Sequence, residues 1–346
     1  MRGHSKSPVA VPRLPTRHAA PKPGRWVWTC RGGFEAFLYE ELVSARAKPT
    51  LLGPALVEAA PFAGAPPVFG RAGFAVLTTF DQPPDAAVVA GALRGLAGNA
   101  PLAVQSWALD TPEALTLANS AEALEQAVRG ELGTTVDAWG AAQRGGILGQ
   151  VCWVSRELII LGGVAAHASV SLAPGGRQRM HRGSEAPSRA ALKLDEALAW
   201  VGISPGAGDA CVDLGAAPGG WSSRLASAGA RVIAVDPAEL APAVKKHPKV
   251  RHVKDSAFRF APQEPAEWLF CDMAWRPLEV AQLLAKWGRN RWATHLVANI
   301  KLPMKDKTAT LRRVREVLEA NGAWQHVRMR QLYHDRDEVT VSARAR

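Results

Sequence analysis

Cys211-Val212-Asp213-Leu214-Gly215-Ala216-Ala217-Pro218-Gly219-Gly220-Trp221-Ser222-Ser223 decides how this chain of 346 residues is read. A short apolar run ends in Asp213, a loop of small residues follows, and Trp221 to Ala226 restarts a periodic pattern. That order predicts strand, tight turn and helix start. Gly215, Gly219 and Gly220 permit positive φ and close approach of a ligand to the backbone, and the helix offers unpaired N–H groups. A nucleotide-like guest suits such a turn, although the glycines alone fit an ordinary strand-to-helix connection equally well. A dinucleotide fingerprint needs glycine where Ala217 stands, and Pro218 comes next, so NAD or FAD fits poorly and a dinucleotide oxidoreductase ranks last.

Downstream of this turn, helix and strand patterns alternate. Ser188 can cap a helix running to about Val201, with Arg189, Lys193 and Glu196 on one face. Five strand-like runs end in polar residues, at Asp213, Asp236, Asp255, Asp272 and Lys301. Polar residues at the carboxyl ends of parallel strands converge on one crevice in a doubly wound sheet. Asp236 lies 23 residues past Asp213, near the spacing at which an acidic side chain reaches ribose hydroxyls. Residues 324–346 predict two closing strands with Asp335 to Asp337 between them.

Upstream, Trp26 to Cys30, Gly32-Gly33 and the helical spacing of Phe34, Phe37, Leu38 and Leu42 predict strand, turn and amphipathic helix. Strand-like residues at 68–79, a helix at 85–96, a strand at 101–109, a helix capped by Thr111-Pro112-Glu113 and continued at 120–132, and a strand pair at 151–155 and 158–164 follow. This is α+β material. Residues 171–188 read as a linker, with Pro174-Gly175-Gly176 and a basic cluster of Arg177, Arg179, His181 and Arg182 against Glu185. The cluster suits either phosphate tracking or a solvated linker.

Hydrophobic residues make up 47% of the chain, enough to bury real cores, and the length implies two or three domains. No apolar run of about 18 residues and no signal-peptide pattern appears, which predicts a soluble cytoplasmic protein away from membranes. Cys30, Cys152, Cys211 and Cys271 are far apart and lack metal-ligand spacing, so no metal is implied. The net charge of +11 suggests a polyanionic partner. The first 25 residues hold six Lys or Arg and no acid, leaving 36 basic against 31 acidic residues, or +5, for the remainder. That proline-rich, basic opening predicts a disordered arm.

The turn resembles the first motif of S-adenosylmethionine-dependent methyltransferases, and its Pro-Gly-Gly form resembles the branch that methylates RNA ribose 2′-hydroxyls. With Ser188 to Ala197, Cys271-Asp272-Met273, Asn299 to Lys305 and Gln331 to Val341, the chain is similar to the bacterial large-subunit ribosomal RNA 2′-O-ribose methyltransferases of the THUMP-containing type. The resemblance is dense from about Pro187 to Val341 and thin before it. Absent over the first 25 residues, where composition alone predicts the disordered basic arm, it implies a small ferredoxin-like α+β domain over 26–89 and a THUMP-type RNA-binding domain over 90–170. A linker over 171–187 and a Rossmann-like α/β methyltransferase domain over 188–346 complete the expected order.

The resemblance also implies roles. S-adenosylmethionine is the expected cofactor, with Ser188 and the backbone of Ala217, Pro218, Gly219 and Gly220 around its methionine part. Asp236 would take the ribose, Asp255 the adenine and Asp272 the ammonium group. Lys193, Asp272, Lys301 and Glu338 form the expected catalytic tetrad, with Lys301 as general base. A free lysine, pKa ~10.4, is protonated at neutral pH, so the role requires burial, a second ammonium from Lys193 and the nearby sulfonium to lower it. Taken singly, Lys193 fits an i,i+3 ion pair with Glu196, Lys301 a basic strand end and Glu338 a hairpin charge. Their joint occurrence within the matching motifs favours the tetrad. The expected partner is large-subunit ribosomal RNA or its precursor particle, modified on a cytidine, by a monomeric enzyme. Two alternatives are a 2′-O-methyltransferase of another RNA and an RNA-binding assembly factor with a vestigial cofactor pocket.

Overall fold

A computed structural model describes residues 9–178 and 189–345. The chain divides into two compact units, 1–178 and 179–346, each with its own seven-stranded sheet.

In the first unit the elements run β1 (Trp26–Thr29), α1 (Glu35–Ser44), β2 (Thr50–Gly53), β3 (Leu56–Ala59), β4 (Ala72–Phe80), α2 (Ala86–Ala97) and β5 (Leu102–Ala108). Then come α3 (Pro112–Leu115), α4 (Ala118–Leu132), α5 (Ala138–Gln143), β6 (Ile147–Ser155) and β7 (Leu158–Ala165). The sheet order is β2-β3-β1-β4-β7-β6-β5, parallel only between β5 and β6. Caps explain two helix starts. The Asp85 carboxylate accepts from Ala87 N at 2.8 Å and the Thr111 hydroxyl from Ala114 N at 3.3 Å, each worth about 1 kcal/mol. Val89, Ala90 and Leu93 of α2 enter the same core as Leu148, Val151, Ile160 and Leu161 of β6 and β7.

Three expectations are corrected here. The boundary expected at residues 89 and 90 falls inside α2, and β4 pairs with β7, so one sheet spans both expected amino-terminal domains. Local turn signals mark breaks in the chain and say nothing of strands that pair across 80 residues. The basic arm is ordered where it is described, because its backbone finds partners: Ala19 N donates to Leu52 O, Lys22 N to Glu58 and Gly24 N to Val76 O. Arg25 adds an ion pair with Glu58 at 3.0 Å. Residues 171–178 are not a free linker. Gly175, Gly176 and Arg177 are buried on the first unit, with an Arg177 N–H donating to Ala108 O at 2.8 Å, so this arginine is unavailable for phosphate. Arg179, His181, Arg182 and Glu185 lie outside the described residues. The hairpin β2–β3 around Gly53-Pro54 was not expected, though that dipeptide is a turn signal.

The second unit runs α6 (Arg189–Val201), β8 (Ala210–Leu214), α7 (Gly220–Ser227), β9 (Arg231–Val235), α8 (Pro242–Lys245), β10 (Val250–Val253) and β11 (Ala266–Cys271). It continues with α9 (Pro277–Arg289), β12 (Ala293–Lys301), α10 (Lys307–Glu319), β13 (Gln325–Arg330) and β14 (Glu338–Arg344). Strand order is β10-β9-β8-β11-β12-β14-β13, with β14 antiparallel to both neighbours and the rest parallel. This is a Rossmann-like α/β fold. The order reverses between β8 and β11, and the crevice of such a sheet lies there, outside the strand ends. Cys211, Val212 and Leu214 are fully buried because β8 has strands on both edges and helices on its faces. Trp268 stacks on Phe270 at 5.7 Å, and Trp221 meets Phe270 edge-on at 6.1 Å, which anchors α7 behind the turn. Among the described residues no helix is long and apolar enough to cross a membrane.

Candidate active site

The turn after β8 is held from both sides. Gly215 N donates to Val235 O at 2.9 Å, Ala217 N to the Asp236 carboxylate at 3.1 Å, and Ala241 N to Pro218 O at 2.9 Å. Gly215 and Gly219 adopt φ of +75° and +110°, and a Cβ at either would run into Met273 or Val244. Both glycines are therefore dictated by backbone and by space. The result is a cradle of small residues at the start of α7.

Carboxylates gather above it. Asp213, 1% exposed, accepts from the Ser222 hydroxyl at 2.6 Å. Burial pushes its pKa up to about 6, with Ser222 opposing and Asp272 and Asp236 adding repulsion. Asp272 is also raised, chiefly by burial, with Lys193 and Lys301 pulling it back. Asp272 and Asp236 both add to the cost of charging Asp213, and acids rather than bases at this turn suit a cationic guest. The Asp236 oxygens also accept from Ala217 N and Ala238 N, which fixes that side chain against the turn. Asp255 sits farther out. Hydrogen bonds from Arg259, then from Ser256 N, hold it below the ordinary carboxylate range. Ser188 lies outside the described residues.

Glu338 is where distant parts of the chain meet. It opens β14 directly opposite Lys301, the last residue of β12, and Lys301 Nζ donates to Glu338 Oε2 at 2.6 Å. Lys193 Nζ, from α6, donates to Glu338 Oε1. The Glu338 carboxylate is 4% exposed. Burial alone would raise its pKa, but hydrogen bonds from the two lysines hold it below the usual range. Asp272 makes its hydrogen bond with Asn299 Nδ2, at 3.3 Å, and feels the two lysines through charge alone. The local alternative for Lys193 is excluded, since Glu196 does not pair with it. Glu196 accepts from Tyr333 N at 2.7 Å, His334 N at 2.9 Å and His334 Nδ1 at 2.7 Å, pinning the loop that leads into β14.

Sequence reasoning missed Asn299, Thr340 and the loop-holding task of Glu196. Asn299 and Lys301 share a strand face by period-2 alternation, and so do Thr340 and Glu338. Register pairs Asn299 with Thr340 and Lys301 with Glu338. The alternation was legible in the sequence, whereas the register was not. Among the described residues no group of three or more His, Cys, Asp or Glu side chains could hold a metal ion. The four cysteines are buried and unpaired, and burial raises their thiol pKa values, that of Cys271 to about 12.

Residues 186–320 match the FtsJ-like methyltransferase family. Ribosomal RNA large subunit methyltransferase M of Alkalilimnicola ehrlichii is 32% identical over 95% of this chain and 96% of its own length. This chain belongs to that family. It is an RNA methyltransferase. The Halorhodospira halophila relative of the same name is 43% identical over 49% of this chain and 51% of its own length. Solved structures are more distant. A Burkholderia thailandensis 1,6-didemethyltoxoflavin-N1-methyltransferase, 17% identical, covers 46% of this chain and 79% of its own, with a TM-score of 0.36.

Proposed function

We propose that this enzyme methylates the 2′-hydroxyl of a cytidine ribose in large-subunit ribosomal RNA, with Lys301 as general base. The observation that carries the reading is the meeting of Lys193 and Lys301 on the two oxygens of Glu338, beside Asp272 at the crevice. The Gly215–Gly220 cradle, with no room for a Cβ at Gly215 or Gly219, and the carboxylates of Asp272 and Asp236 acting on Asp213 fit S-adenosylmethionine. When bound, that cofactor supplies an electrophilic methyl group on a cationic sulfur. Asp236 and the backbone of residues 217–220 would hold it, with Asp255 toward the adenine and Asp272 toward the ammonium group.

The chain's own residues do the rest. A ribose hydroxyl is a weak acid, and its proton must leave as its oxygen attacks, so a base within hydrogen-bond reach is required. Lys301 ends its strand at the crevice and is 35% exposed at the side chain, which leaves its amine accessible to a substrate. Glu338 holds both amines in place, one on each carboxylate oxygen, so that Lys193 and Lys301 flank the same point of the crevice. Holding the hydroxyl in line contributes up to about 7–11 kcal/mol through proximity. Within this reading the first unit contributes a THUMP-type surface for RNA.

Lys301→Ala is expected to abolish methyl transfer to ribosomal RNA while calorimetry still shows S-adenosylmethionine binding. Retained transfer would remove Lys301 as base. Mass mapping of ribose methylation in ribosomal RNA with and without the gene identifies the nucleotide, and an unchanged map would refute the substrate.

A further inference from the structure

We propose that Asn299, Thr340 and Asp335 form a buried relay that positions Asp272, and that the relay points toward Asp272 only while Asp335 is uncharged. This rests on Asp272 belonging to the catalytic tetrad. Asn299 Nδ2 donates to Asp272 at 3.3 Å, so its Oδ1 faces away, toward the Thr340 hydroxyl at 3.0 Å. The same hydroxyl lies 3.0 Å from Asp335 Oδ2, which also accepts from Leu332 N at 2.9 Å. Asn299, Thr340 and Asp335 are each 1% exposed or less.

A threonine hydroxyl has one hydrogen. Here it touches two acceptors. Asn299 Oδ1 can only accept, so the amide is held at both ends when Thr340 donates to it. An ionised Asp335 is the stronger acceptor, because a hydrogen bond to a charged oxygen is roughly twice as strong as a neutral one. Ionisation therefore turns the hydroxyl toward Asp335 and leaves the Asn299 oxygen without its donor, releasing the amide that orients Asp272. Among the described residues, the charged groups that act on Asp335 include Glu338 on β14 and Glu196 and Lys193 on α6. Burial pushes its pKa up to about 8, with Leu332 N and Lys193 opposing and Glu338 and Glu196 reinforcing. The acid form thus prevails at neutral pH, and the relay opens just above it.

The test uses the full chain, S-adenosylmethionine and large-subunit ribosomal RNA, with single-turnover methyl transfer followed from about pH 6 to about pH 9.5. Asp335→Asn keeps an acceptor for Leu332 N and cannot ionise. Its rate divided by that of the wild type is expected to rise about tenfold with pH, a ratio that cancels titrations the two proteins share. The midpoint should fall near pH 8, where Asp335 titrates. Thr340→Val, which removes the hydrogen, should lower the rate about tenfold at neutral pH with unchanged cofactor affinity, converge on the wild type at alkaline pH, and be rescued by Thr340→Ser. A ratio for Asp335→Asn that is flat with pH overturns the relay. Should Thr340→Val fail to fold, the Asp335→Asn ratio decides alone. Asp272→Asn separates the two readings: full activity in that variant refutes the tetrad, whereas an inactive Asp272→Asn together with a flat Asp335→Asn ratio refutes the relay only.

Discussion

Asp213→Asn should stabilise the chain by an amount that grows with pH. Asp213 ends the central strand, is 1% exposed, and titrates at about 6 in the fold against 3.8 for a free side chain. Its folded pKa lies above the unfolded one, so between these values the folded chain keeps a proton that the unfolded chain has lost. The favourable contribution is full below about pH 4 and gone once the pH has risen through about 6. From 3.8 to about 6, at roughly 1.36 kcal/mol per pH unit, the difference is about 3 kcal/mol. Asparagine keeps an acceptor for the Ser222 hydroxyl and has no charge to bury. The stability of Asp213→Asn relative to wild type should therefore climb by about 3 kcal/mol from about pH 4 to about pH 7.5. Denaturant unfolding of both full-length proteins, followed by tryptophan fluorescence, measures this. A difference that stays flat, or falls as pH rises, would show that Asp213 is not held up by burial and would undercut the cation-seeking pocket.

Two further perturbations follow from the geometry. Glu196→Gln replaces one oxygen of a side chain surrounded by three donors, setting N–H against N–H; an expected cost of about 1–3 kcal/mol should appear in thermal unfolding, and kcat should fall with cofactor affinity unchanged. Wild-type kcat in that variant would mean that the loop into β14 does not position Glu338. Gly219→Ala forces a side chain onto φ +110° and into Val244, so cofactor binding measured by calorimetry should weaken at least tenfold, and undiminished binding would relocate the cofactor.

Much of the second unit was legible because its signals are local. The run from Cys211 to Ser223 announces strand, turn and helix through apolar content and glycine placement, and the polar residues ending each parallel strand locate the crevice. The first unit was read less well. Its strands β2 and β3 are four residues each, and its sheet joins β4 to β7 across the expected domain boundary. The arm and the segment at 171–178 carry no periodicity, yet they are ordered by hydrogen bonds to strands elsewhere. No pattern within those segments could show this.

The sequence by itself determined the methyltransferase turn and the alternation of strands and helices after it, and it singled out the four residues proposed as the tetrad. Tertiary structure decided how they are used. Lys193 has an acid three residues away in Glu196, yet its amine reaches Glu338, 145 residues on. Antiparallel register sets Lys301 against Glu338 and Asn299 against Thr340. The physical reason is that charge and hydrogen-bonding capacity belong to each residue, whereas a shift in side-chain pKa or a shared proton depends on which groups are brought within about 3 Å in a place that water does not reach.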